Sequence, residues 1–183
     1  FAFTGLDQRF NVGGMRNSLA GTSTGLAWFA QTTVITSGTF GVGGVDAGNL
    51  DTKNIGVVYL GRTNDLTVGT LAIGVIKNTG TLQFPDGLED AYLRIRGTNA
   101  AGRANATIGT SQSNFQNAEG YLIVTQGVVD ARFGSLVIGR NNNSSTSATG
   151  VFAMAQGVLD VTTMTLGQRL SVSAGIGSPL GRF

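Results

Sequence analysis

Three acidic side chains recur in one sequence context. Asp90, Asp130 and Asp160 close the segments DGLED, QGVVD and QGVLD. If these segments are equivalent positions of a stacked repeat, the three carboxylates form an outward column. Such a column has two chemical uses. It offers hard oxygen ligands for Ca²⁺, or an acid/base pair for cleaving a polysaccharide. A plainer role competes with both: an Asp at a corner accepts hydrogen bonds from nearby backbone N–H groups in an Asx-type turn. Repetition favours the plainer role, because a catalytic site needs unlike residues gathered in one place. No catalytic, cofactor-binding or metal-ligating residue is therefore assigned, and no cofactor is expected.

Other candidates carry less. Gly41–Asp46 (GVGGVD) is a single near match to the glycine-rich Ca²⁺ repeat, which works only in tandem. Arg62, Arg140 and Gln168 each follow a glycine that ends an apolar segment, and would line a polyanion-binding stripe or act as solvated corner residues. Asn105, Asn142 and Asn143 begin N-x-[ST] sequons, read as loop composition. Thr163-Met164-Thr165 is a lone threonine pair of the kind that ice-binding solenoids repeat. Glu89 and Asp90 are adjacent, so on a strand they would point to opposite faces. The chain has no His, which removes the commonest general base and leaves no imidazole to activate a serine. The GK[ST] of a phosphate-binding loop is absent.

Composition points to the elements that must hold these residues. Glycine accounts for 29 of 183 residues and proline for 2. That glycine content is more than twice the usual ~7%, yet collagen needs glycine at every third position. Charged residues make up 12% and hydrophobic ones 41%, which is not a disordered composition. The net charge is +2, and the basic residues are scattered singly, so no nucleic-acid partner is expected. There is no Cys, hence no disulfide framework and no thiolate metal site. No apolar run is long enough to span a membrane as a helix. The first residue is Phe rather than Met, as in a processed chain or part of a longer one.

Short apolar or alternating segments recur from Val57 onward: VVYLG, LAIG, TLQF, YLRI, ANATIG, YLIV, LVIG, VFAM, VLDV and MTLG. No 3.6-residue period runs through them, so no helix is expected between Val57 and Gly177. Gly120 to Gly150 and Gly127 to Gly157 are each 30 residues apart, Gly87 to Gly127 is 40, and Gly139 to Gly167 is 28. A period near 30 is the length of one solenoid coil with insertions at its turns. The largest insertions, Gly109–Glu119 and Arg140–Thr149, are expected to be protruding loops. Leu93, Ile95, Leu136, Ile138 and Leu166 are expected to face inward. Leu26–Thr36 reads as an early strand, and Gly43–Asn54 as a loop.

At YLGRTNDLTVGTLAIG, GTLQFPDGLEDAYLRIRG, GRANATIG, QGVVDARFGSLVIGR and GVFAMAQGVLDVTTMTLGQ the chain resembles the autotransporter-associated β-strand repeats of bacterial surface and secreted proteins. The resemblance covers about Val57–Gln168. It implies a right-handed parallel β-helix, export, and a role as stalk, passenger or matrix component. It carries no catalytic residues to transfer. The first 50 residues match poorly, and no membrane barrel is present in the sequence.

The expected fold is an all-β, single-domain right-handed parallel β-helix of about six to eight coils. Residues 1–56 form an irregular cap and the first coils, 57–177 the regular repeats, and 178–183 a C-terminal tail. The expected function is non-catalytic: a rigid spacer or fibre subunit, secreted or at the cell surface, self-associating through its solenoid ends. Binding or cleavage of an extracellular polysaccharide, or adhesion to a host surface, is the alternative.

Overall fold

Alternating side chains and regularly placed glycines give this chain its shape. The structure, a computed structural model, describes residues 1–14, 22–44, 53–112, 117–142, 146–170 and 178–183. Among them are eleven strands and no helix. They are β1 (Ala2–Val12), β2 (Thr24–Trp28), β3 (Thr32–Val42), β4 (Ile55–Tyr59), β5 (Thr63–Ile76), β6 (Thr79–Gln83), β7 (Ala91–Arg96), β8 (Ala104–Ser111), β9 (Ala118–Asn141), β10 (Ala148–Leu166) and β11 (Pro179–Arg182).

Every strand pairing is parallel, and the pairings form two ladders. The long ladder stacks β1, β3, β5, then β7 with β8, then residues 127–141 of β9 and 156–166 of β10. The short ladder stacks β2, β4, β6, residues 118–124 of β9, residues 148–154 of β10, and β11. The chain alternates between the ladders, so it winds as a parallel β-solenoid, the all-β class expected. Its rungs are joined by about five turns, fewer than the six to eight expected. The shortfall comes from the insertions: the step from Thr79 to its ladder partner Glu119 consumes 40 residues. At about 4.8 Å per step, five turns separate the first and last rungs by roughly 24 Å.

The core consists of columns, one side chain per rung. One long-ladder column runs Phe3, Ile35, Leu66, Ile95, Ala131, Leu159, and another Val12, Val42, Ile73, Ile108, Ile138, Leu166. On the short ladder, Ala27, Val58, Leu82, Leu122 and Phe152 stack the same way. Leu93, Ile95, Leu136 and Ile138 are fully buried, as expected. Leu166 is in the expected column but 47% exposed, because no described residue lies beyond it.

The two ladders meet along a seam of glycine. Gly25, Gly56, Gly80, Gly120, Gly150 and Gly181 occupy one short-ladder position. Opposite them, Gly13, Gly43, Gly74, Gly109, Gly139 and Gly167 close the long rungs, all at positive φ. A Cβ on Gly120 would lie 2.2 Å from the Gly109 nitrogen and 2.3 Å from the Ile73 carbonyl oxygen. Backbone fills that space, so no side chain fits. This is why the apolar-x-apolar-Gly ending recurs. At the other corner, buried Asn64 accepts from the Gly61 N–H at 3.1 Å and donates to the Gly61 and Tyr92 carbonyls at 2.8 and 3.2 Å.

Several boundaries differ from expectation. The first residues are regular: β1 pairs with β3 over Ala2–Val12, with one irregularity between Gly5 and Arg9. Leu26–Thr36 divides into the end of β2 and the start of β3 around a corner. The expected tail forms β11 against β10. The inserted loops are shorter than expected, since β8 runs to Ser111 and β9 to Asn141. Residues 45–52 of the expected Gly43–Asn54 loop lie outside the described residues.

Candidate functional site

The three aspartates do not form a column. Asp90 sits in an exposed turn before β7 with φ 55°, a conformation that Asp tolerates better than most residues. Glu89 shares that turn and is not on a strand. Asp130 and Asp160 lie on adjacent rungs but are out of step. The register slips between Met154 and Gln156, so Asp160 lies opposite Arg132, and Val158 lies opposite Asp130. The Gly127–Gly157 spacing is thus not a ladder pair, whereas Gly120 and Gly150 are aligned. The slip is one that electrostatics favours. A two-residue slip keeps every side chain on its own face, and it separates two carboxylates that would repel if directly opposite.

What the outer face carries instead is a run of Asp–Arg fasteners. Along one outward position the ladder reads Val34, Asp65, Arg94, Asp130, Val158. Arg94 Nη1 donates to both Asp65 oxygens, at 3.0 and 2.8 Å. Arg96 Nη2 donates to Asp130 Oδ2, and its Nη1 reaches the Asp130 carbonyl at 2.8 Å. The Tyr92 hydroxyl also donates to Asp130 Oδ2, at 3.4 Å. Arg103, from the segment before β8, donates Nη2 to both Asp160 oxygens at 2.8 and 2.7 Å. Its Nη1 reaches the Phe133 and Asp160 carbonyls at 3.2 and 3.3 Å.

These bonds decide what the carboxylates can do. Hydrogen bonding from Arg96 is the largest influence on Asp130 and holds its carboxyl below the ordinary range. A general acid near neutral pH needs the opposite shift. Both carboxylate oxygens of Asp65 and Asp160, and Oδ2 of Asp130, accept from guanidinium groups where a metal ion would need them. Among the described residues, no group of three or more His, Cys, Asp or Glu converges as metal ligands would. The geometry suits carboxylates that tie one rung to the next.

The remaining candidates scatter. Arg62 stands at the corner before β5, whereas Arg140 and Gln168 stand at the far end of the long rungs, so the three do not make one stripe. Asn105 is outward and exposed on β8, and Asn142 is partly buried. Asn143 and Asp46, and with Asp46 the glycine-rich near match, lie outside the described residues. Thr163 and Thr165 flank Met164 on the last rung.

Two surfaces escaped the sequence reading. One is a groove of about 300 Å³ on the outer side of the long ladder, lined by Thr39, Thr70, Thr107 and Gln112 with Arg9 and Arg140. Ladder pairing extends a polar row through Thr39, Thr70, Asn105, Ser135 and Thr163. Beside it, the paired residues Thr110 and Arg140 bury an Oγ1 and an Nε that have no hydrogen-bond partner among the described residues. The other surface comprises the two ends of the stack. At one end Phe1, Leu6, Leu26 and Trp28 are exposed, and at the other Val158, Leu166 and Phe183. Single apolar residues in the sequence do not reveal which rung is last, so neither surface had a local signal. Compared with family models, curated proteins and solved structures, the chain finds no match.

Proposed function

We propose that this chain is a non-catalytic structural component of an extracellular or cell-surface assembly, a rigid β-solenoid spacer or fibre subunit. The observation that carries the reading is the use of the outer-face aspartates. Asp65, Asp130 and Asp160 each bind an arginine, and these ties cross between rungs rather than gathering at a reactive point. Inside, the apolar columns continue from rung to rung with little interruption. Repetition of this kind favours stiffness over chemistry. The surface location follows from the resemblance of the repeat wording to that of autotransporter-associated proteins. Antibody labelling of intact, unpermeabilised producing cells tests the reading. Decoration of the surface or of extracellular fibres is expected; labelling only after permeabilisation would refute it.

The groove favours a second reading, binding of an acidic saccharide. Its polar row, Thr39, Thr70, Asn105, Ser135 and Thr163, continues from rung to rung, and Arg9 and Arg140 add positive charge. A glycan array containing uronic-acid oligosaccharides would decide it, since the groove reading predicts retention that the double variant Arg9→Gln/Arg140→Gln loses.

A further inference from the structure

We propose that the groove on the outer side of the long ladder binds an acidic glycan lengthwise, one sugar unit per rung. Arg140 holds a single carboxylate, and uncharged units run from it over Thr107, Thr70 and Thr39. This rests on the saccharide reading of the groove and gives that ligand a direction, a length and a place for its charge.

The direction comes from the ladder. Thr39 and Thr70 are partners on β3 and β5, Ala72 and Thr107 on β5 and β8, and Thr110 and Arg140 on β8 and β9. From Thr39 to Arg140 the lining therefore crosses four successive rungs, along the axis of the stack. Three steps of about 4.8 Å make roughly 14 Å, and a pyranose unit in an extended chain advances by about one such step. Small residues keep the floor low. Gly41 and Ala72 are partners in the outward column beside the threonines, so the surface sinks between Thr39 and Thr70 on one side and Val75 and Ile76 on the other.

The lining selects the ligand. β3, β5 and β8 are each paired on both sides, so an extended peptide finds no open strand edge in the groove. Only side chains can read what lies there: the hydroxyls of Thr39, Thr70 and Thr107 and the amide of Gln112. These groups both donate and accept, as sugar hydroxyls do. The threonine methyls and Ala72 offer apolar surface to the faces of the rings.

The charge comes from Arg140. The ion pairs among the described residues use Lys53, Arg94, Arg96 and Arg103, and Arg140 enters none of them. Its Nε is closed to solvent and has no hydrogen-bond partner among the described residues. Such a donor is held without an acceptor, which folded proteins rarely tolerate without a reason. Turned into the groove it lines, the guanidinium edge matches the two oxygens of one planar carboxylate. Among the described residues from Thr39 to Arg140, no other charged side chain lines the groove. The units over the threonines are therefore uncharged.

Isothermal titration calorimetry of the purified full chain at low ionic strength tests this. The probes are a chain of three glucose units ending in one glucuronate, its all-glucose counterpart, the same chain with a sulfate ester replacing the carboxylate, and glucuronosyl-glucose. The uronate chain is expected to bind, and the all-glucose chain to bind about 30-fold more weakly, the scale of one charge-assisted contact. The tetrahedral sulfate is expected to bind more weakly than the carboxylate. Arg140→Gln should reduce the uronate chain to the all-glucose level, and Arg140→Lys should not restore it, because lysine keeps the charge but lacks the planar edge. Thr39→Val, three rungs away, should weaken the four-unit chain and leave the two-unit probe unchanged. Circular dichroism of each variant is expected to match the wild type. Equal binding of charged and uncharged chains, full binding by Arg140→Gln, or a Thr39→Val effect that ignores probe length would overturn the proposal. Acidic saccharides retained on the glycan array regardless of Arg140 would leave the saccharide reading standing and overturn this seat for the carboxylate. Retention of none would overturn both.

Discussion

Ile138 and Leu166 are ladder partners in one column, on adjacent rungs, and follow the same apolar-x-apolar-Gly pattern. Ile138 is fully buried and Leu166 is 47% exposed. The same contrast separates Gly139, whose Cβ position is filled by the Leu180 carbonyl, from Gly167, whose Cβ position has, among the described residues, no atom closer than 3.5 Å. Residue type is alike in each pair; what differs is whether a further described rung lies against it. In a solenoid, burial is supplied by neighbouring rungs, so middle and end rungs with the same sequence grammar acquire different energetics and different uses.

The largest effect that would sharpen this contrast is at the seam. Gly120→Ala places a methyl 2.2 Å from the Gly109 nitrogen. Backbone on both sides cannot yield without parting the ladders. Loss of the cooperative thermal transition, or a fall of many degrees in Tm, is expected by circular dichroism. A Tm within a few degrees of wild type would show that the ladders are not locked there.

The columns come next. Ile138→Ala should cost about 2–5 kcal/mol, through lost burial and the cavity left behind. Leu166→Ala, half exposed on the last rung, should cost less than half as much in urea unfolding of the dilute monomer. Equal costs would mean that the end rung is covered in solution.

The smallest effect concerns the outer fasteners. Asp130 has a lowered carboxyl pKa, chiefly through its hydrogen bond from Arg96. Its contribution is therefore fully present above the ordinary carboxylate range and is lost as pH falls through the lowered value. With 31% of the side chain exposed, the pair is partly screened by solvent, and about 1 kcal/mol is an upper expectation. Asp130→Asn should remove that share of the acid-side loss of stability and leave stability at low pH almost unchanged. An unaltered pH profile would break the assignment. Tyr121 moves the other way, raised first by burial and then by the charge of Glu119.

Legibility in the sequence followed the same line. Strand positions such as Tyr92–Ile95 and Leu136–Ile138 were readable because alternation and glycine are local signals. β1 was not, because its FAFTGLDQRFNV lacks the repeat wording even though Phe3, Phe10 and Val12 occupy repeat columns. The aspartates show the limit most clearly. QGVVD and QGVLD look alike in sequence, yet the slip after Met154 puts Asp160 opposite Arg132. Arg103 reaches Asp160 from 57 residues away, a contact no local pattern could announce.

The sequence by itself determined the winding: apolar alternation chose the inner face, and glycine spacing set the corners and the length of a coil. Only the tertiary structure decided the register between coils, and with it which charges meet and which glycines lie against a carbonyl of the next rung. Periodicity is written along the chain, whereas register is a compromise among charges and backbones on separate rungs, and exists only once they are stacked.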